Sequence, residues 1–153
     1  MLAVEPDPAA RAAAEERARD APARIEVVGG VAAALPVEDG SCDAVVVMGV
    51  LCSVPDPPAA LAEIRRVLSP AGELRFWEHV RSPHAPFRWV QRALDRLFWT
   101  RSLGGCETTR DTGQAIETAG FEVVWLERGF HASSVLTITS APYILGSARP
   151  LPL

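Results

Sequence analysis

The stretch Ala44-Val45-Val46-Val47-Met48-Gly49-Val50 constrains the fold more than any other part of the chain. It is a nearly continuous β-branched run, too short for a buried helix and bounded by turn residues. Such a run suits a strand buried on both faces of a parallel sheet. The polar turn Glu38-Asp39-Gly40-Ser41 precedes it, and Pro55-Asp56-Pro57-Pro58 ends the following loop and starts a helix over 59–68. In that helix Leu61, Ile64, Val67 and Leu68 share one face, with Glu63, Arg65 and Arg66 pointing elsewhere.

The flanking segments continue the alternation of strand and helix. Residues 9–20 are strong helix formers stopped by Pro22, and Ile25 to Val28 reads as a short strand closed by Gly29-Gly30. After the turn Ser69-Pro70-Ala71-Gly72, Glu73 to Trp77 reads as a strand tipped by Glu78 and His79. Residues 84–102 read as an amphipathic helix with Trp89, Val90, Ala93, Leu94, Leu97 and Phe98 in one stripe and Arg88, Arg92 and Arg96 opposite. A helix over 110–118 follows, then two closing strands, Phe121 to Glu127 and a segment around Val135 to Gly146. This order predicts one α/β domain over 1–148 with a mostly parallel sheet and an antiparallel C-terminal hairpin. Residues 149–153, with a proline at 150 and another at 152, are expected to form a loose tail.

Bulk properties narrow the function. The net charge of −4 argues against general nucleic-acid binding. Three cysteines without tight spacing argue against a disulfide framework and a structural zinc site, so no metal ligand is expected. No apolar run reaches the ~18–20 residues that span a bilayer. The opening residues MLAVEPDP lack a basic region and an apolar core, so a cytoplasmic setting is expected.

The segment from Gly40 to Gly72 runs Gly-Ser-x-Asp-x-Val, then Val-Leu-x-x-Val-x-Asp-Pro, then Leu-x-Glu-x-x-Arg-Val-Leu-x-Pro-x-Gly. This composite resembles the class I S-adenosylmethionine (SAM) methyltransferases. Leu51-Cys52-Ser53-Val54, Phe76-Trp77-Glu78-His79-Val80, Gly105-Cys106 with Thr109-Arg110-Asp111-Thr112, and Pro142-Tyr143-Ile144-Leu145-Gly146 are similar to the thiol S-methyltransferases of the methyltransferase-like group.

The resemblance implies a Rossmann-like sheet with SAM at the carboxyl ends of the central strands. Glu5 would accept hydrogen bonds from the ribose hydroxyls, and the stretch containing Val31 and Ala32 would meet the adenine. Met48, Gly49 and Leu51 would flank the methionine part. His79 is the candidate general base toward a small-molecule methyl acceptor, a thiol by resemblance, with Glu78 positioning it. Cys52 and Cys106 are expected to pack rather than react.

The family's first strand and glycine-rich turn have no counterpart before Glu5. The reading is therefore of an N-terminally truncated domain, expected to bind SAM poorly, with sheet edges that either face each other unpaired or re-pair directly. The alternative is a degenerate, non-catalytic domain that acts through protein interaction. A dinucleotide-binding reading fails because Gly-x-Gly-x-x-Gly would have to stand about 20 residues before Glu5. The 87–99 helix is expected to cap the substrate pocket or to rest on a membrane surface.

Overall fold

Three aspartates set where helices begin. The side chain of Asp7 accepts hydrogen bonds from the Ala9 and Ala10 N–H groups, Asp56 from Ala59 N–H and Asp111 from Gln114 N–H. Each satisfies helix-start donors that would otherwise be orphaned. The computed structural model describes residues 1–96, 105–132 and 140–152. Among them the order is β1 (Leu2–Val4), α1 (Pro8–Arg19), β2 (Glu26–Val28), β3 (Cys42–Met48), α2 (Pro57–Val67) and β4 (Leu68–His79). Then come α3 (Ala85–Leu94), α4 (Thr112–Thr118), β5 (Phe121–Phe130) and β6 (Pro142–Pro150).

The strands form two sheets. β1 and β2 pair in parallel. The second sheet has the order β3-β4-β6-β5, with β3 and β4 parallel and β6 antiparallel to both β4 and β5. The expected parallel crossover and antiparallel C-terminal hairpin are therefore both present. Between β1 and β3 no ladder forms among the described residues, so the two edges are unpaired rather than joined directly.

The core sits between α2, α4 and the larger sheet. Leu61, Ile64, Leu74, Phe76, Ile116 and Ile144 are each at most 2% exposed. The apolar face foreseen for α2 is the face that packs. The expectation that β3 is buried on both sides needs correction. Val47 is in the core, but Val46 is 62% and Met48 70% exposed. The cause is the placement of the helices: α2 covers the Val47 side, while α1 lies beside β2 and buries none of its residues.

Two boundaries also differ. The Ser69–Gly72 turn sits inside β4 as a bulge, since Cys42 pairs with Leu68 while Ala44 pairs with Glu73. The last strand is Pro142–Pro150, so residues 149 and 150 belong to the sheet rather than to a loose tail. Leu151 is tied down too: its N–H donates to the Gly120 carbonyl at 2.9 Å, and its own carbonyl accepts from Arg65 at 2.6 Å. Part of the segment around Val135 lies outside the described residues.

The hairpin leaves no space at Gly146. A Cβ there would come within 2.6 Å of the Trp125 carbonyl oxygen and 2.7 Å of the Phe76 ring. Gly146→Ala is expected to destabilise the protein by about 1–3 kcal/mol through forced displacement in a packed core, measured by urea unfolding.

Candidate active site

The carboxyl ends of β1 to β4 carry the residues singled out in the sequence. Glu5 follows β1 directly, half-buried, and its Oε1 accepts the Asp7 N–H at 2.9 Å. Its other carboxylate oxygen can accept from a ligand hydroxyl. Val31, 50% exposed, and half-buried Ala32 lie just beyond β2. Ala32 packs against the core, and Val31 closes a small turn bridged to Ala34.

That turn is fixed from α2. Glu63 Oε2 accepts the Leu35 N–H at 2.8 Å, and Arg66 donates to the carbonyls of Leu35 and Val37 while pairing with Glu63 and Asp39. The hydrogen bond from Arg66 holds the Glu63 carboxyl down at about 2, against an ordinary 4.5. A carboxyl depressed by folding stabilises the fold above its unfolded value and loses that contribution as pH falls through its folded value. Glu63→Gln is therefore expected to flatten the loss of stability between about pH 4.5 and pH 2, read from thermal melts across that range.

Beyond β3 the chain turns at Gly49, whose φ of +66° favours glycine, and nothing lies within 4 Å of where its Cβ would be. The Gly49 N–H donates to the Trp77 carbonyl at 2.8 Å, which ties this open corner to β4 two residues before His79. Met48 reaches solvent beside it. Leu51 does not belong to the ligand surface: it is 1% exposed in the core, and its carbonyl is taken by Arg110.

Glu78 and His79 were expected to act as a pair, but consecutive strand residues face opposite sides of a sheet. Glu78 is fully buried and accepts from the backbone N–H groups of Val50 and Cys52 at 2.9 Å each. Burial pushes its carboxyl up to about 7, against the pull of the Cys52, Leu51 and Val50 N–H groups. Its role is to hold the 50–52 turn, and it reaches His79 only through that turn.

His79 lies on the other side, half-buried, with its ring edge-on to Trp77 at 4.8 Å between centroids. Trp77 in turn stacks on Tyr143 from β6. Nδ1 of His79 is 3.8 Å from Cys52 Sγ and 3.7 Å from Cys106 Sγ, and the two sulfurs are 3.5 Å apart. The contact with Cys106, then burial, push the Cys52 thiol up to about 12, and the same contact lowers Cys106. This cluster is invisible to motif reading, because Cys52, His79 and Cys106 stand 27 residues apart in succession.

A cavity of about 520 Å³ opens beside the end of β4, lined by Val80, Arg81, Arg88, Trp89, Arg92 and Arg128 among others. A larger one, about 740 Å³, lies against α2 and α4, and neither cavity is lined by Glu5, Gly49 or His79. α3 contributes to the smaller cavity differently from expectation. Its buried residue is Gln91, which bonds Ser82 N–H and the carbonyls of Val80 and Thr108, while Trp89 and Val90 are 69% and 47% exposed. Gln91 pairs three backbone groups that would cost about 1–3 kcal/mol each if left unsatisfied, and burying its side chain leaves Trp89 and Val90 facing outward. Leu97 and Phe98, the end of the stripe, lie outside the described residues.

Comparison with known proteins agrees with this arrangement. Residues 1–76 match the model of a methyltransferase domain. Human thiol S-methyltransferase TMT1B is 38% identical over 110 residues, which is 72% of this chain and 44% of the human protein, so the aligned region spans less than half of that relative. A SAM-dependent methyltransferase structure from Methanosarcina mazei superposes with a TM-score of 0.79 at 19% identity, covering 99% of this chain and 82% of that one. The [4+2]-cyclase SpnF also shares the fold, with a TM-score of 0.74 at 20% identity, covering 99% of this chain and 66% of that one. Domain match, homology to thiol S-methyltransferases and fold converge: the chain belongs to the class I SAM-dependent methyltransferase family.

Proposed function

We propose that this chain transfers the methyl group of SAM to a small thiol. The observation that carries the reading is the strand-end arrangement in which the open, left-handed corner at Gly49 is hydrogen-bonded to the strand that presents His79. The residues fit the cofactor's chemistry. A carboxylate with an oxygen to spare, Glu5, suits vicinal ribose hydroxyls, and the space at Gly49 lets a ligand approach the backbone. When bound, SAM supplies a methyl carbon made electrophilic by its sulfonium.

The chain's own residues do the rest. With Nδ1 turned toward the two sulfurs, Nε2 is the His79 atom left to take the proton of an incoming thiol. SAM, held by Glu5 and against the open backbone at Gly49, would supply the methyl group to the thiolate that His79 generates, and its sulfur would leave as a neutral thioether that keeps the electron pair of the broken bond. The proton passes from Nε2 to solvent. Support for a thiol, rather than another acceptor, comes from the similarity to thiol S-methyltransferases. The test compares SAM turnover with a small thiol and with its hydroxyl analogue. Turnover with the thiol alone supports the reading, turnover with the alcohol alone reassigns the acceptor, and turnover with neither favours a non-catalytic role for the fold.

Cofactor affinity is expected to be weak. The unpaired outer edge of β3 leaves Val46 and Met48 in water, so this side of the strand-end surface has no wall of its own. Calorimetric titration of the 153-residue chain with SAM should show shallow, low-affinity binding. Tight stoichiometric binding would contradict this.

A further inference from the structure

We propose that Cys52, Cys106 and His79 form a binding site for one soft divalent metal ion of the zinc class, with a fourth coordination position open to an exogenous ligand. A tetrahedral zinc ion with Zn–S near 2.3 Å and Zn–N near 2.05 Å needs its ligand atoms about 3.8 Å apart for two sulfurs and about 3.6 Å for sulfur and nitrogen. Here the sulfurs are 3.5 Å apart and the imidazole nitrogen is 3.8 and 3.7 Å from them. All three sides of the triangle are within about 0.3 Å of those a bound ion would impose. The donors are two thiols and an imidazole, the set that selects zinc-like ions over magnesium or calcium.

The triangle is held by its surroundings rather than by chance proximity. The Cys52 N–H is fixed by Glu78 and its carbonyl accepts the Glu107 N–H at 2.8 Å, which docks the Cys106 segment on the 50–54 turn. Arg110 clamps the same turn through the carbonyls of Leu51 and Val54 at 2.9 and 2.6 Å. Gly105, at φ +83°, brings the chain so close that a Cβ would stand 3.1 Å from the Ser53 carbonyl oxygen. Trp77 braces the imidazole. Such supports outside the ligand set fix ligand orientation in metal sites.

Exposure is unequal. Cys52 is completely buried and Cys106 is 8% exposed, whereas His79 is half-buried. Three protein ligands closed on the thiol side and open on the imidazole side match zinc sites that keep one position for water or substrate. Binding releases two thiol protons, so the two thiolates neutralise a divalent ion. In the loaded form Nε2 carries the ring proton, so His79 serves there as a ligand and its general-base role belongs to the metal-free chain; a thiol acceptor, which rests on the reading above, would enter the fourth position as thiolate, displacing water and giving its proton to solvent.

The test uses metal alone, without SAM or acceptor, so it stands apart from methyl transfer. The chain, purified under reducing conditions and stripped with chelator, is titrated with Co²⁺ and then Zn²⁺. One Co²⁺ per chain with a thiolate-to-cobalt charge-transfer band and tetrahedral visible bands is expected, bleached by one equivalent of Zn²⁺. Cys52→Ser, Cys106→Ser and His79→Gln should each lower Zn²⁺ affinity about tenfold or more, while Cys42→Ser, far down β3, leaves it unchanged. The wild-type spectrum decides the matter even if a variant misfolds. Absence of the charge-transfer band, or a band that survives in the Cys52→Ser/Cys106→Ser double variant, overturns the proposal. So does a Cys52–Cys106 disulfide that persists under the reducing conditions, which would make the pair a redox element.

Discussion

Glu78→Ala is expected to destabilise the fold by roughly 3–5 kcal/mol, because it orphans the buried Cys52 N–H and the half-buried Val50 N–H, at up to about 1–3 kcal/mol each, and leaves a cavity. Those donors belong to Val50 and Cys52, and the acceptor is fully buried. Against a total margin of ~5–15 kcal/mol, such a loss removes a large fraction of the protein's stability. Glu78→Gln keeps one acceptor oxygen but turns an amide N–H₂ toward the other donor, so a smaller loss, about 1–3 kcal/mol, is expected. Urea unfolding of the three proteins measures both. A change below about 1 kcal/mol for Glu78→Ala would mean that the turn finds other acceptors.

His79→Ala is expected to lower the rate of methyl transfer to a thiol by about 10²–10⁴-fold, the usual share of a positioned general base. The imidazole is half-buried at the strand end and packs its ring on Trp77, so the fold should tolerate the loss. SAM binding should be unchanged, because the cofactor contacts expected of Glu5 and Gly49 lie on other strands. The deficit should shrink as pH rises above about 8.5, where a free thiol ionises without help. A pH-independent deficit would assign His79 to positioning rather than to proton transfer.

The fold was legible because its signals are local. The β-branched run, the prolines at helix starts and the apolar face of α2 each follow from a few adjacent residues, and each reappears in the structure. The errors have a common physical origin in tertiary context. Val46 and Met48 look like core residues, yet no helix covers that side of β3. Trp89 and Val90 look like a buried stripe, yet the hydrogen-bonding demand met by Gln91 turns the helix the other way. Residues 149 and 150 look like a proline-weakened tail, yet β5 supplies a partner for each.

The site was legible in outline only. Glu5, Gly49 and His79 were placed at strand ends by motif, and the structure puts them there. What the motif could not convey was direction. Glu78 and His79 are neighbours in sequence and on opposite faces in space, while Cys52, His79 and Cys106 are remote in sequence and converge. Alternation along a strand explains the first case. The second needs the turn after β3 and the segment before α4 to dock on each other, which Arg110 and the Glu107–Cys52 hydrogen bond accomplish.

The most direct measurement is transfer of label from methyl-deuterated SAM, at high cofactor concentration to offset weak binding, to a small thiol, followed by mass spectrometry of the acceptor. The account predicts a deuterated methyl thioether that forms with the wild-type chain and is strongly reduced with His79→Ala. Cofactor left intact with every thiol, while the folded chain still binds SAM, would contradict it.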